Sequence, residues 1–431
     1  MPKPVPHISQ PYHIEAQQLI LLPQHTTAQI AALAEQYMTP NYRNAPIVFV
    51  DGEGPYGITL EGERLLDFSA GVAVNALGHN HPDLVAAIQD QGKRLLHQSN
   101  YWHNAHAAPL AEALCKEFQR ATGQPGRVFF CNSGAEGTEA AVKMARRYHA
   151  KVLGKPRPGI ITVTGSFHGR TYAAMTATAQ PKYQEGFEPL VPGFRYGKFG
   201  DLASIEALVD ETVGAVIIEV VQGEGGVAVP PPGFFQDLRA LCNKHGMLLA
   251  LDEVQTGLGR TGTFFAFEQE GIVPDIVWLA KALGGGVPIG AVLARDPVAR
   301  ALVAGSHATT FGANALATRI GRTVLAIFER DQIVQHTAEV GAYLLARLHA
   351  AFDTQAYTLD VRGRGLMCGV AVDGDPKKVV DAARDRGLLL STAGANVLRL
   401  TPPLIVTRKH CDEAVEKLRA AADTVLLPNL V

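Results

Sequence analysis

Short, unbroken apolar runs alternate with helix-period segments from about residue 82 to residue 328 of this chain. The runs cover 127–131, 159–164, 215–221, 247–251 and 276–280. They are apolar at nearly every position rather than every second one, which predicts strands covered on both faces. Strand–helix alternation on that scale predicts βαβ units and a parallel or mostly parallel sheet, an α/β fold with helices on both faces. Ahead of it, apolar stretches at 46–50, 57–60 and 64–68, with a turn at Asp51-Gly52-Glu53-Gly54, predict a small β-meander. Behind it, one long helical pattern (318–352) leads into a mixed region. There, 361–369, 388–390 and 397–400 read as strands, and 376–386 and 410–425 as helices.

The chain therefore divides into an arm (1–37, with an amphipathic helix over 26–37), a meander (38–80) that joins the small domain, a large domain (81–320) and a smaller α+β domain (321–431).

Two of the apolar runs end on charged residues. Asp252 closes 247–251 and Lys281 closes 276–280. Interior strands of an open α/β sheet deliver their carboxyl ends to the rim where ligands bind. A carboxylate and an amine at such a rim suit pyridoxal phosphate: the amine bonds the cofactor aldehyde and the carboxylate pairs with the pyridine nitrogen. Lys281 is followed by Ala282-Leu283-Gly284-Gly285-Gly286, small residues that open space around the amine; in other settings a lone Lys after a strand is a snorkelling surface residue.

Three further stretches fit the same ligand. Phe130-Cys131-Asn132-Ser133-Gly134-Ala135-Glu136 turns from strand to helix and would aim unpaired helix N-terminal N–H groups at a phosphate. Ser166-Phe167-His168-Gly169-Arg170 offers an aromatic ring to stack on a heterocycle and an arginine to clamp a carboxylate. Glu219 lies near the end of the run 215–221, and Glu224, in the Gly-rich loop after it, is expected to pair with Arg399 of 397–403. An exposed pair would contribute only about 0–1 kcal/mol, so stability alone gives little reason to place one there.

Composition narrows the classes. The chain has 431 residues, with 39 Lys plus Arg against 41 Asp plus Glu, and a net charge of −2 provides no basic field for nucleic acid or an anionic membrane. No apolar stretch is long enough to span a bilayer, and the amino terminus lacks the apolar core of a secretory signal. Its five cysteines are scattered without a CxxC pair, which argues against a disulfide framework or a metal site and fits a reducing, cytoplasmic setting. Leu249-Ala250-Leu251-Asp252-Glu253 also has the form of an ATPase strand holding magnesium, but no GxxxxGK[ST] loop accompanies it.

Taken together, Leu251-Asp252-Glu253-Val254-Gln255-Thr256-Gly257, Gly259-Arg260-Thr261-Gly262 and Ala280-Lys281-Ala282-Leu283-Gly284-Gly285-Gly286 resemble the class III pyridoxal-phosphate aminotransferases, from about Asn41 to Pro403. Within that family Gly71-Val72-Ala73-Val74-Asn75-Ala76-Leu77-Gly78-His79 and Arg364-Gly365-Leu366-Met367 are similar to the acetylornithine-specific branch. Val72 stands where ornithine-specific members tend to carry a tyrosine.

The resemblance implies the fold-type I architecture of these transferases and pyridoxal 5′-phosphate as cofactor. It implies Lys281 and Asp252 as catalytic residues, Val254 and Phe167 against the two faces of the ring, and Gln255 near its phenolic oxygen. Gly134 and Ala135 would serve the phosphate, with Thr310 serving the phosphate of a neighbouring subunit in a homodimer. Arg170, Glu224 and Arg399 would bind substrate, with N-acetylornithine as amine donor and 2-oxoglutarate as acceptor. Related substrates (4-aminobutyrate, ornithine, succinylornithine) and an aminomutase on the same scaffold remain open at this point.

Overall fold

The computed structural model describes residues 25–427. Its first sheet starts with the meander β1 (Phe49–Glu53), β2 (Tyr56–Thr59) and β3 (Arg64–Asp67). Residues 51–53 of the expected turn at 51–54 are instead part of β1. Asn80 donates to both Asp51 Oδ1 (2.7 Å) and the Gly52 carbonyl (2.8 Å), which satisfies this Asp-Gly pair in extended form and defers the turn to Gly54 and Pro55.

The central sheet follows: β4 (Gly126–Cys131), β5 (Gly159–Val163), β6 (Phe194–Gly197), β7 (Val213–Glu219), β8 (Leu248–Asp252), β9 (Ile276–Leu279) and β10 (Gly290–Arg295). Their spatial order is β4-β10-β9-β8-β7-β5-β6. The pairs from β6 to β9 are parallel, while β10 runs antiparallel to both β9 and β4. Two of these strands are absent from the sequence expectation. β10 lies just beyond a glycine-rich turn that hides its period, and β6 (Phe-Arg-Tyr-Gly) is an edge strand too polar to read as interior.

Both faces of the sheet are covered, as the unbroken apolar runs require. Leu249, Leu251, Val277 and Leu279 enter the main core with the helix Ala107–Thr122, whereas Leu248, Ala250, Ile276 and Trp278 lie in a second cluster with the helix Gly134–Arg147. Fully burying each such aliphatic side chain stabilises the fold by about 1.5–3 kcal/mol.

The long helical pattern beyond residue 318 is two helices, Ala315–Arg330 and Ile333–Phe352. Gln332 sits between them at φ +51, a left-handed conformation that no helix interior tolerates in a non-glycine residue. Next, β11 (Thr358–Arg364) turns at Gly365 into β12 (Met367–Val372), a hairpin where the sequence pattern reads as one segment. The third sheet is completed by β14 (Ser391–Ala393) and β15 (Val397–Leu400), and the order is β11-β12-β15-β14. Between them, β13 (Leu388–Leu389) crosses to the meander and pairs in parallel with β3. The helix Arg408–Leu426 packs on Ile333–Phe352.

At the amino end, the helix Thr27–Tyr37 has a capping box from Thr26 and Gln29, and none of its residues is buried. The rest of the expected arm, 1–24, lies outside the described residues. No described helix is long and apolar enough to cross a membrane.

Parallel strands present their carboxyl ends on one side, and register sets what meets there. Glu219 is paired with Asp252, and Asp252 with Trp278. Lys281 follows two residues after β9 ends. The topology thus gathers an acid, a second acid and an amine on one rim.

Candidate active site

Lys281 begins a short 3-10 turn rather than continuing the strand, at φ +42. A left-handed lysine costs about 1–2 kcal/mol relative to its ordinary conformation. The turn closes tightly because Gly284 has no side chain; a Cβ there would fall 1.8 Å from the Val287 carbonyl oxygen. The amine is half-buried and lines a cavity of about 460 Å³. Burial, and then the Arg399 guanidinium, push its pKa down to about 8, against the pull of Glu224, Asp252 and Glu219.

Asp252 is 5% exposed and lines the same cavity. His168 Nδ1–H donates to its Oδ2 at 2.8 Å and the Val254 backbone N–H to its Oδ1 at 3.0 Å. Two donors fix the orientation of the carboxylate. Sequence reasoning gave His168 no role. Its signal was slight, a histidine one residue past the expected stacking ring, on the opposite side of the chain. His168 is itself buried and its Nε2 has no partner.

Glu219, the end of β7, is 6% exposed, and one of its oxygens, Oε2, lacks any hydrogen bond. Burial first, and the Asp252 charge second, hold its pKa well above the usual carboxylate range. This rim therefore sets two carboxyl groups side by side, of which Glu219 is the one pushed towards its neutral form.

At the opposite end of the cavity the helix Gly134–Arg147 begins. Ser133 Oγ caps it by accepting from the Glu136 N–H at 3.1 Å. Gly134 and Ala135 supply the first turn, whose N–H groups have no intrahelical acceptor. A Cβ on Gly134 would approach both methyls of Val254 to 2.8 Å, so glycine there keeps open the passage between the helix terminus and Val254. Gln255 reaches into the space left by Gly223, where a Cβ would meet its Oε1 at 1.9 Å; that Oε1 is buried and unpartnered.

Phe167 lines the cavity and meets the Tyr183 ring edge-on, at 5.9 Å between centroids. Arg170 is exposed at its mouth, stacked over Tyr183 at 4.0 Å, a cation–π partner the sequence reading left without a role.

Glu224 and Arg399 form the expected pair, Oε1 to Nη1 at 2.5 Å, and Arg399 Nε donates to Ser391 Oγ at 3.1 Å. Arg399 is 2% exposed, so the pair is not the surface bridge of little consequence considered from the sequence. Removing the carboxylate would leave a buried cation, a loss of about 3–5 kcal/mol in a fully buried pair and less here, because Glu224 is partly exposed. Thr310 stands apart. It is exposed, outside the cavity, in a surface depression with Asn132, Thr309 and Phe311.

The donor set fits a flat pyridine bearing an aldehyde and a phosphate. A depressed amine is available for the aldehyde and a fixed carboxylate for the ring nitrogen. The glycine-lined gap at Gly134 leads to a helix N-terminus, and the unpartnered Gln255 and Glu219 oxygens await polar atoms. Among the described residues no cluster of His, Cys, Asp or Glu is arranged to hold a metal ion.

Comparison with known proteins gives the same direction. A sequence model of the family described as aminotransferase class-III matches residues 37–422. The acetylornithine aminotransferase of Aquifex aeolicus is 45% identical over 383 residues, covering 89% of this chain and 99% of that protein. The acetylornithine aminotransferase of Gloeobacter violaceus is 47% identical over 386 residues, 88% and 94% of the two chains. Among solved structures, the ornithine aminotransferase from Toxoplasma gondii, described with partial occupancy of PLP at its active site, superposes with a TM-score of 0.90 at 32% identity, covering 98% of this chain and 100% of that one. N-acetylornithine aminotransferase from Stenotrophomonas maltophilia gives 0.77 at 38% identity, covering 91% and 98%.

Proposed function

The chain belongs to the class III aminotransferases, whose cofactor is pyridoxal 5′-phosphate, and from that premise we propose that it transfers the δ-amino group of N-acetylornithine to 2-oxoglutarate. The products are N-acetylglutamate 5-semialdehyde and glutamate. The observation that carries the reading is the meeting of Lys281, Asp252 and the Glu224–Arg399 pair around one cavity, in a chain whose acetylornithine-specific relatives reach 47% identity.

Pyridoxal phosphate, when bound, supplies an aldehyde that takes up the amine and a ring that accepts the electrons left as the substrate carbon loses its proton. Lys281 Nζ, which lines the cavity, would be the amine that bonds this aldehyde. Freed by the substrate amine, Nζ would be the base that takes up and hands back the proton at the reacting carbon. An amine whose pKa lies at about 8 can do both near neutral pH, which an ordinary lysine cannot. Asp252, held in orientation by His168 and the Val254 N–H, would face the ring nitrogen. Val254 and Phe167 would bound the ring, Gln255 would answer its phenolic oxygen, and Gly134 and Ala135 would hold the phosphate.

Arg399 rests on Glu224 while the tail of N-acetylornithine occupies the site, and turns to the α-carboxylate when glutamate or 2-oxoglutarate enters. Arg170 clamps the carboxylate far from the reacting amine. One site thereby serves a donor and a dicarboxylate without leaving a buried arginine unpaired.

The active unit is read as a homodimer in the cytoplasm, with Thr310 of each copy serving the other's phosphate. Support comes from the surface around it. Asn100 ties its loop to the Thr309 and Gly312 carbonyls, and Tyr101, Trp102 and Phe311 in these loops are 89%, 69% and 61% exposed, a concentration of aromatic surface that a free monomer rarely presents. Sedimentation that gives only a monomer would end that part of the reading.

A second substrate reading, ornithine itself, has the Toxoplasma superposition in its favour. Steady-state kinetics with N-acetylornithine, succinylornithine, ornithine and 4-aminobutyrate, each with 2-oxoglutarate, decides between them. N-acetylornithine is expected to have the highest kcat/KM, and turnover is expected to require 2-oxoglutarate. A higher value for another amine removes the proposed donor, and turnover without an oxo acid makes the protein a mutase.

A further inference from the structure

Arg260 is the largest buried cation without an acidic partner among the described residues. It is 2% exposed, and its Nη1 donates to the carbonyls of Leu366 (2.9 Å) and Pro402 (2.5 Å). Its own backbone carbonyl accepts from the Leu366 N–H at 3.0 Å, and its Nη2 has no partner. Burial lowers the guanidinium's pKa to about 9, which still leaves it a cation near neutral pH. Burying such a charge without a carboxylate is costly, so a residue that needs only packing would not be an arginine here.

What it touches gives the reason. β12 and β15 pair antiparallel, with Gly369 opposite Arg399 and Cys368 opposite Leu400. Leu366 and Pro402 lie two residues beyond that last rung on each strand, so one guanidinium nitrogen bridges both strands where their ladder stops. Arg260 itself belongs to the loop that leaves β8 through Asp252, Val254 and Gln255. The crossing is too tight for a substitute spacer: a Cβ on Gly365 would lie 2.5 Å from the Arg260 carbonyl oxygen, and one on Gly341 would lie 2.3 Å from Gly365.

We propose that Arg260 is a positioning residue for Arg399, a clamp that fixes the strand pair carrying the Arg399 guanidinium against the loop carrying Asp252 and thereby sets the recognition of the dicarboxylate substrate. The inference rests on the reading of Arg399 as the group that receives the α-carboxylate. Arg260 touches neither substrate nor cofactor. It acts by holding the end of β15 three residues from Arg399 and the start of β12 three residues from the Gly369 opposite it.

The test compares Arg260→Met and Arg260→Lys with Arg399→Lys. Methionine fills the buried volume without charge, and lysine keeps one charged donor should the methionine variant not fold. Arg260→Met is expected to raise KM for 2-oxoglutarate by about tenfold, the equivalent of losing one charge-assisted hydrogen bond. The rate of the donor half-reaction, followed by cofactor absorbance with no oxo acid present, should stay within about twofold; Arg260→Lys should fall between wild type and Arg260→Met. In cofactor-free protein, amide hydrogen exchange should accelerate in 366–372 and 397–401 but not in β7.

Adding Arg260→Met to Arg399→Lys should bring little further rise in KM, because both changes act on one contact. Equal losses in both half-reactions, an additive double variant, or unaltered exchange would reduce Arg260 to a structural residue and overturn the proposal. If Arg399→Lys itself leaves the KM for 2-oxoglutarate unchanged, the reading of Arg399 fails first and takes the clamp's function with it.

Discussion

Replacing Lys281 by methionine should stabilise the cofactor-free protein while abolishing its turnover. The lysine amine titrates at about 8 in the fold against about 10.4 when free, a difference of about 2.4 units, or about 3 kcal/mol. Below about pH 8 the amine is protonated in both states and the folded protein bears the whole of that penalty. Between about 8 and 10.4 the unfolded chain binds more protons than the folded one, so wild-type stability rises with pH by about 1.4 kcal/mol per unit. Above that window the penalty is gone.

Methionine keeps the unbranched shape and the half-buried position but carries no charge to desolvate. Its margin over wild type should be about 3 kcal/mol at pH 7, half that near pH 9 and almost nothing above 10.5. Against a total stability of about 5–15 kcal/mol such a difference is readily measured. Urea unfolding of both proteins, stripped of cofactor, at a series of pH values provides the assay. A margin that does not change with pH, or a wild type more stable than the variant at pH 7, would mean that the amine is not desolvated. The inference of an amine prepared to exchange protons near neutrality would then fail.

The remaining predictions concern one packing contact and one charge. Gly137→Ala gains about 1 kcal/mol of helix propensity, but its Cβ would stand 2.8 Å from Cδ1 of the fully buried Trp278, and overpacking of that kind costs about 1–3 kcal/mol; net destabilisation of about 1 kcal/mol is expected by urea unfolding, and a more stable variant would refute tight packing of the helix Gly134–Arg147 on Trp278. Glu224→Gln leaves Arg399 without its carboxylate, so KM for 2-oxoglutarate should fall and KM for N-acetylornithine rise, each by several-fold; steady-state kinetics in which both move the same way would contradict an arginine that alternates between two partners.

Most of the site was legible in the sequence because two of its central groups lie at the ends of the most regular pattern in the chain. An unbroken apolar run has a visible end, and in a parallel sheet that end has a known location. Asp252 and Lys281 could be assigned to the rim before any contact was known. Glu224 and Arg399 were named as a pair from their charges, but the substrate role given to them came only from the family resemblance, since 175 residues separate them and nothing local links the two.

His168 and Arg260 escaped for a different reason. Each stands in a stretch whose other residues drew attention, and each acts on a group fixed by tertiary structure, Asp252 in one case and the end of the β12–β15 ladder in the other. The misplaced turn at 51–54 and the unread break at 331–332 follow the same logic. Asn80 supplies from a distance the hydrogen bonds that the local Asp-Gly sequence would otherwise seek in a turn. At Gln332 a left-handed residue stops a helix where neither glycine nor proline announces it. Periodicity reports which face of an element is covered, and the ends of apolar runs report where charge is delivered. The groups that hold those charges in place are set by contacts across the sheet, so they become visible only once the strands are in register.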